Sequence, residues 1–180
     1  MLDKRYIVEE KLGFTPLIGR LLSMMEYTRM TTLEAVEGLT AKELDYRING
    51  KGNSIGCLLY HIACVEEIYQ IMTFEDREPT EEELQKLDIG LDLGEKAHHE
   101  IIHNGIEFYI EKLNLVRERT LVCFKELEDN WLDKVTPFGP KHYANNYFRW
   151  FHVFEDELNH RGQIRLIRNH MKREKNDLHL

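Results

Sequence analysis

Asn53-Ser54-Ile55-Gly56-Cys57-Leu58-Leu59-Tyr60-His61-Ile62-Ala63 is the stretch from which the architecture can be worked outward. It opens on two residues able to cap a helix, Asn53 and Ser54, and leads into an apolar segment that continues to about Phe74. Ile55, Leu58, Leu59, Ile62, Val65, Ile68 and Ile71 recur mostly at the three- and four-residue intervals that align side chains along one side of a helix. Within the very apolar run Cys57–Ala63 stands a lone histidine, His61. An imidazole buried without a partner costs about 1–3 kcal/mol, so His61 requires either a hydrogen bond or a metal.

Three more long segments carry the same periodicity. The first runs from about Pro16 to Glu37, with Leu17, Ile18, Leu21, Leu22, Met25, Met30, Leu33 and Val36 on its apolar positions. Pro16 suits a first helical turn and Gly38 a C-terminal stop. A third runs from about Ile106 to Asn130, with Ile110, Leu113, Val116, Leu121 and Phe124 facing inward. The last runs from about Asn145 to Lys172, with Phe148, Phe151, Phe154, Leu158, Ile164 and Ile167 as its core candidates.

Between them, Thr40 caps a short turn, Gly50 and Gly52 mark a loop, and Thr80 with Glu81, Glu82 and Glu83 reads as the capping-box start of a short acidic helix. Thr136-Pro137-Phe138-Gly139-Pro140 reads as a turn. Little of the chain alternates as a strand would. The expectation is an all-α four-helix bundle over residues 1–180, one domain, whose long inter-helix connections exclude a plain up-down-up-down arrangement.

Composition sets the outer limits. With 180 residues, 42% hydrophobic and 31% charged, the chain has the make-up of a soluble globular protein. A formal net charge of -8 argues against nucleic acid as a partner. Arg161, Arg165, Arg168, Lys172 and Arg173 lie at helical spacing and read as a solvated flank at the negative end of a helix dipole. The three cysteines, Cys57, Cys64 and Cys123, form no close pair, and the first two read as buried structural thiols. A reducing, cytoplasmic setting follows as an expectation. So does the absence of a membrane span, because charges run through Met1–Phe14 and no window approaches twenty uninterrupted apolar residues.

Two groups of residues carry candidate chemistry. On the last helix His152, Asp156 and His160 follow one another at four-residue intervals. Each step drifts about 40° around the helix and rises about 6 Å, so an Asp and a His so spaced can reach one ion. With His61 from a facing helix they would make a three-residue site with a position left open, the form of catalytic zinc centres. Against this stands the plainer reading, a hydrogen-bonded core histidine and a solvated Asp-x-x-x-His pair. Gly162 is expected to allow close helix approach, Gln163 to make a structural hydrogen bond. The second group is His99-Glu100-Ile101-Ile102-His103, which matches the H-E-x-x-H metalloprotease pattern. Gly105 follows at once and no edge strand offers itself to a peptide, so a surface helix is the simpler reading. Tyr143, Tyr147 and Trp150 could line a pocket or pack as ordinary core and boundary aromatics.

The Asn53–Ala63 stretch resembles the second helix of the DinB/YfiT-like superfamily, and Trp150–Ile164, ending in His160-Arg161-Gly162-Gln163-Ile164, resembles its fourth-helix motif. That resemblance implies a four-helix bundle holding one divalent metal, nickel or zinc, on His61, Asp156 and His160. Many members have His where this chain has Asp156, while the thiol-dependent isomerase branch has a carboxylate there. His152, one turn earlier, is expected to support the ligands by hydrogen bonding, with ligand and base as the other roles open to it. The resemblance further implies a thiol S-transferase-like enzyme in which the metal activates a low-molecular-weight thiol, or water, for attack on a small-molecule electrophile, and it makes a homodimer reasonable. The rival expectation is a non-catalytic metal-binding or stress-response interaction protein.

Overall fold

The computed structural model describes residues 5–177. Its long helices are α1 (Pro16–Val36), α3 (Ile55–Phe74), α6 (Ile106–Lys125) and α7 (Asn146–Asp177). Shorter pieces connect them: α2 (Ala41–Leu44), α4 (Glu81–Leu91), α5 (Glu95–Glu100) and a hairpin of β1 (Val135–Phe138) and β2 (His142–Asn145). This is an all-α bundle of the expected class.

Local chemistry sets the ends. The Ser54 hydroxyl accepts from the Cys57 N–H at 3.2 Å and starts α3. Thr80 and Glu83 form the expected reciprocal box at the start of α4, as Thr40 and Glu43 do for α2. At α1 the preceding Thr15 makes no side-chain cap, and a distant carboxylate serves instead: Asp129 Oδ1 accepts from Leu17 N at 2.9 Å and Ile18 N at 3.2 Å. Asp129 belongs to a 3₁₀ turn, Asp129–Asp133, so the third long helix stops at Lys125, short of the expected Asn130. The other end of α1 is closed by Arg168 of α7, which donates to the carbonyls of Ala35 at 2.7 Å and Glu37 at 2.9 Å. That residue therefore serves α1 as well as the solvated flank.

Contacts across the bundle give its direction. His61 meets His160 while Tyr69 meets His152, so α3 and α7 are antiparallel. Arg29 bonds Glu157 and Ala35 bonds Arg168, so α1 and α7 run the same way. Gly56 abuts Tyr109 while Gln70 bonds Thr120, so α3 and α6 are also parallel. The order is up, down, down, up. The chain must return the length of the bundle between α3 and α6, which explains the long segment carrying α4 and α5.

Two large apolar clusters fill most of the interior, one around Leu58, Leu59, Tyr109, Leu113 and Ile164, the other around Leu21, Met25, Phe124, Trp150 and Phe154. Between them along the bundle sits a buried ionic network with one charged residue from each long helix. Arg29 donates to Glu157 at 3.0 Å and to Glu66 at 3.1 Å. Arg117 donates to Glu66 at 2.7 Å, and the Thr120 hydroxyl adds another hydrogen bond to Glu66 at 2.7 Å. α3 is long and apolar enough by composition to cross a membrane, with a window of mean hydropathy 1.2, but 78% of that window is buried inside the bundle.

Several expectations need correction. The segment around Thr136–Pro140 is a hairpin, with Val135 opposite Asn145, Phe138 opposite His142, and Gly139 turning at φ 68°. Phe148 and Phe151 are not core residues; they are 44% and 42% exposed. Gly162 is exposed, and a Cβ there would meet nothing within 4 Å, so it does not serve close helix approach. Gln163 is exposed as well. Trp150 is fully buried and bonds Thr73 at 3.1 Å, whereas Tyr143 is exposed.

Candidate metal centre

Helix packing brings His61, Asp156 and His160 together: their nitrogen and oxygen atoms lie within 4.8 Å of one another. His61 Nε2 is 3.5 Å from Asp156 Oδ2, and His160 Nε2 is 3.3 Å from Asp156 Oδ1. The two imidazoles meet edge to face, with centroids 4.7 Å apart and planes at 78°. Antiparallel α3 and α7 give this geometry, because an inward position on one faces the i, i+4 pair on the other.

His61 is aimed from behind. Its Nδ1 lies 2.8 Å from the carbonyl oxygen of Gly90 on α4. A carbonyl only accepts, so Nδ1 carries a proton, and in the neutral ring Nε2 presents its lone pair toward Asp156. Gly90 can come this close only as glycine: a Cβ would stand 2.4 Å from Cys64 Sγ and 2.8 Å from the Tyr60 ring. No motif in the sequence marks the Gly90 carbonyl as a partner for His61.

The cluster is largely buried, with side-chain exposure of 11% for His61 and 19% for Asp156. Burial pushes the Asp156 carboxyl up, but the neighbouring imidazoles of His160 and His61 outweigh that and hold it well below the usual carboxylate range. Asp156 Oδ2 and His160 Nδ1 are nonetheless buried without hydrogen-bond partners. Two imidazole nitrogens and a carboxylate oxygen form a donor set suited to a borderline divalent cation such as zinc or nickel. The residues fit such an ion.

The remaining candidates fall elsewhere. His152 makes its hydrogen bond to Glu155, Nδ1 to Oε2 at 3.0 Å, and not to the three clustered residues. It packs against the Tyr69 ring on α3. The H-E-x-x-H match is not a helical motif: α5 ends at Glu100, Ile101 is buried in non-helical geometry, and His103 has φ 63°. His103 instead donates its backbone N–H to Asp45 at 2.9 Å, and His99 is exposed, so the two histidines do not share a helix face. Cys57 and Cys64 are fully buried free thiols, and burial pushes Cys64 up to about 12. Neither has the low-pKa, accessible setting of a nucleophile.

An up-down-down-up bundle with a His, Asp, His cluster between its antiparallel second and fourth long helices defines a DinB-like protein. The sequence model of the mycothiol-S-transferase family matches residues 20–172, and the chain belongs to that family, a member of the DinB/YfiT-like group. Solved structures agree on the fold. A conserved protein from Enterococcus faecalis superposes with TM-score 0.63 at 16% identity, covering 82% of this chain and 92% of its own. A protein from Streptococcus pneumoniae superposes with TM-score 0.62 at 12% identity, covering 94% of this chain and 96% of its own. No curated protein sequence matches.

Proposed function

We propose that this protein is a metal-dependent thiol S-transferase whose divalent ion, zinc or nickel, is held by His61, Asp156 and His160. The observation that carries the reading is the meeting of the His61 Nε2 lone pair with a buried carboxylate oxygen that has no hydrogen-bond donor. Two electron-rich groups at 3.5 Å repel unless a proton or a metal cation lies between them. A bound divalent ion supplies that charge and favours the thiolate over the thiol at neutral pH.

The chain's own residues supply the rest. The Gly90 carbonyl fixes the tautomer and orientation of His61. Asp156 contributes negative charge, which tempers the electrophilicity of the centre relative to an all-histidine set. With three protein ligands, a bound ion would have room left to take the thiol. In the transfer the thiol loses its proton to solvent and the sulfur lone pair forms a C–S bond to the electrophile. The bond to the leaving group breaks, and that group departs with the electron pair. Mycothiol, the thiol in the family's description, is the first to assay, followed by other low-molecular-weight thiols.

The test is metal content of tag-free protein by mass spectrometry, compared with His61→Ala and His160→Ala, then turnover over a thiol and electrophile panel. About one zinc or nickel per chain, absent from both variants, with thiol-dependent conjugation lost in parallel, is the expected result. Metal-free protein that does not rebind either ion overturns the reading. Metal bound without any thiol-dependent turnover would leave the non-catalytic metal protein in its place.

A further inference from the structure

The turns of α7 just before Asp156 carry an aromatic surface that the core does not use. Phe148 and Phe151 are 44% and 42% exposed, though both lie in a helix whose buried face already has Trp150, Val153 and Phe154. Phe148 connects three rings: Phe138 of the hairpin lies 5.7 Å away, Phe151 6.3 Å and His152 6.3 Å, the last with its plane tilted by only 1° from that of Phe148. His152 in turn sits 5.8 Å from Tyr69, which lines the α3 side. The result is a continuous run of rings from the hairpin to α3.

This surface has a built polar point. His152 Nδ1 faces Glu155 Oε2 at 3.0 Å, and Glu155 is held in turn by Asn159 Nδ2 at 2.5 Å. The carboxylate accepts the Nδ1 proton, so the ring is fixed and its Nε2 stays available to a ligand. His152 precedes Asp156 by four residues, one helical turn and a rise of about 6 Å. Phe148 precedes His152 by the same step. Phe148, His152 and Asp156 therefore follow one strip of the helix, leading from exposed rings to the clustered ligands.

We propose that this strip is the acceptor subsite, and that it takes an aromatic electrophile: the flat ring lies on Phe148 and His152, with a polar substituent on His152 Nε2. This rests on the transferase reading for its role, because the reacting carbon then falls about one helical turn further along, beside His61, Asp156 and His160. The occupant follows from continuity with that site, from exposed aromatic carbon that water solvates poorly, and from an imidazole held in place by a carboxylate. A small aliphatic electrophile would leave Phe148 and Phe151 uncovered.

Thioether conjugates separate this proposal from the transferase reading. The probes are S-(2,4-dinitrophenyl)-N-acetylcysteine, S-carboxamidomethyl-N-acetylcysteine and N-acetylcysteine, titrated into metal-loaded and metal-free protein, with tryptophan quenching and calorimetry as readouts. The aryl conjugate should bind at least tenfold more tightly than the alkyl one. Phe148→Ala and His152→Ala should collapse that ratio while leaving N-acetylcysteine binding unchanged. Phe148→Leu, which keeps apolar bulk without a ring, should lose most of the preference, and circular-dichroism melting should show each variant folded. Equal binding of aryl and alkyl conjugates to the wild type, or an aryl preference that survives both alanine variants, overturns the proposal. An aryl preference that persists in protein with no metal and no turnover would keep the aromatic subsite and remove the transferase reading.

Discussion

Two polar clusters lie inside this bundle, and they are built on opposite terms. Arg29, Glu66, Arg117 and Glu157 place two positive and two negative charges in the core, one from each long helix, and the arginine donors meet carboxylate or carbonyl oxygens at hydrogen-bonding distance. His61, Asp156 and His160 lie on the adjacent α3–α7 seam, where a carboxylate oxygen and a ring nitrogen are buried with no donor or acceptor opposite. The first cluster is complete as protein. Burial pushes the Glu66 carboxyl up, but the charges of Arg117 and Arg29, with hydrogen bonds from Arg117 and Thr120, more than offset this and lower it below the ordinary carboxylate value. In the second, Asp156 Oδ2 and His160 Nδ1 are left unpaired. A fully paired buried network fixes how helices meet, whereas a partly paired one carries a desolvation cost that the ion proposed above would offset.

The comparison breaks most visibly if one member of the complete network is removed. Glu66→Ala leaves two buried guanidinium groups short of an acceptor and is expected to cost about 3–5 kcal/mol, read from urea unfolding. A cost under about 1 kcal/mol would mean that water enters the core and that the network is not a closed unit.

The next effect concerns the incomplete cluster. Zinc or nickel at a hundredfold excess over its dissociation constant should stabilise the wild type by about 2.7 kcal/mol, raising its melting temperature. His61→Ala and His160→Ala should lose that rise. Equal stabilisation of all three proteins would place the ion elsewhere.

Acidification sharpens the contrast without mutation. Because the folded-state pKa of Glu66 is lowered, its contribution to stability is present above the unfolded value of about 4.3 and fades as pH falls below it. Melting temperature should therefore hold above about pH 5 and drop below about pH 4, and Glu66→Gln should flatten that drop. An unchanged slope in the variant would assign the acid sensitivity to other carboxylates.

The smallest effect is a control two residues beyond His160. Gly162 lies exposed within α7 with open space around it, so Gly162→Ala should stabilise by about 0.5–1 kcal/mol and leave metal content unchanged. Destabilisation there would reveal a close neighbour after all.

Both clusters are built from titratable and charged side chains, yet only one stood out in the sequence. Asp156 and His160 announce themselves by their four-residue step, and His61 by standing alone in an apolar run. Glu66 and Glu157 gave a weaker signal of the same kind: each falls on its helix's buried stripe, Glu66 four residues after Ile62 and Glu157 four after Val153. Arg29 and Arg117 gave almost none, since a long cationic side chain reads as surface unless its partner is known. Phe148 and Phe151 misled in the other direction, because an aromatic at helical spacing is counted as core although α7 has more rings than its buried face can cover.

By itself the sequence determined the four long helices, the Ser54, Thr40 and Thr80 caps and most of the apolar faces, because those depend on neighbours within one or two turns of chain. It also determined which residues could act as metal ligands, because side-chain chemistry does not depend on the fold. The tertiary structure alone decided the up-down-down-up order, the pairing of four distant charges, the Asp129 cap on α1 and the Gly90 carbonyl behind His61. Each of those joins residues far apart in the chain. Such pairings are chosen by how helix faces fill space together, and no local stretch of sequence encodes that choice.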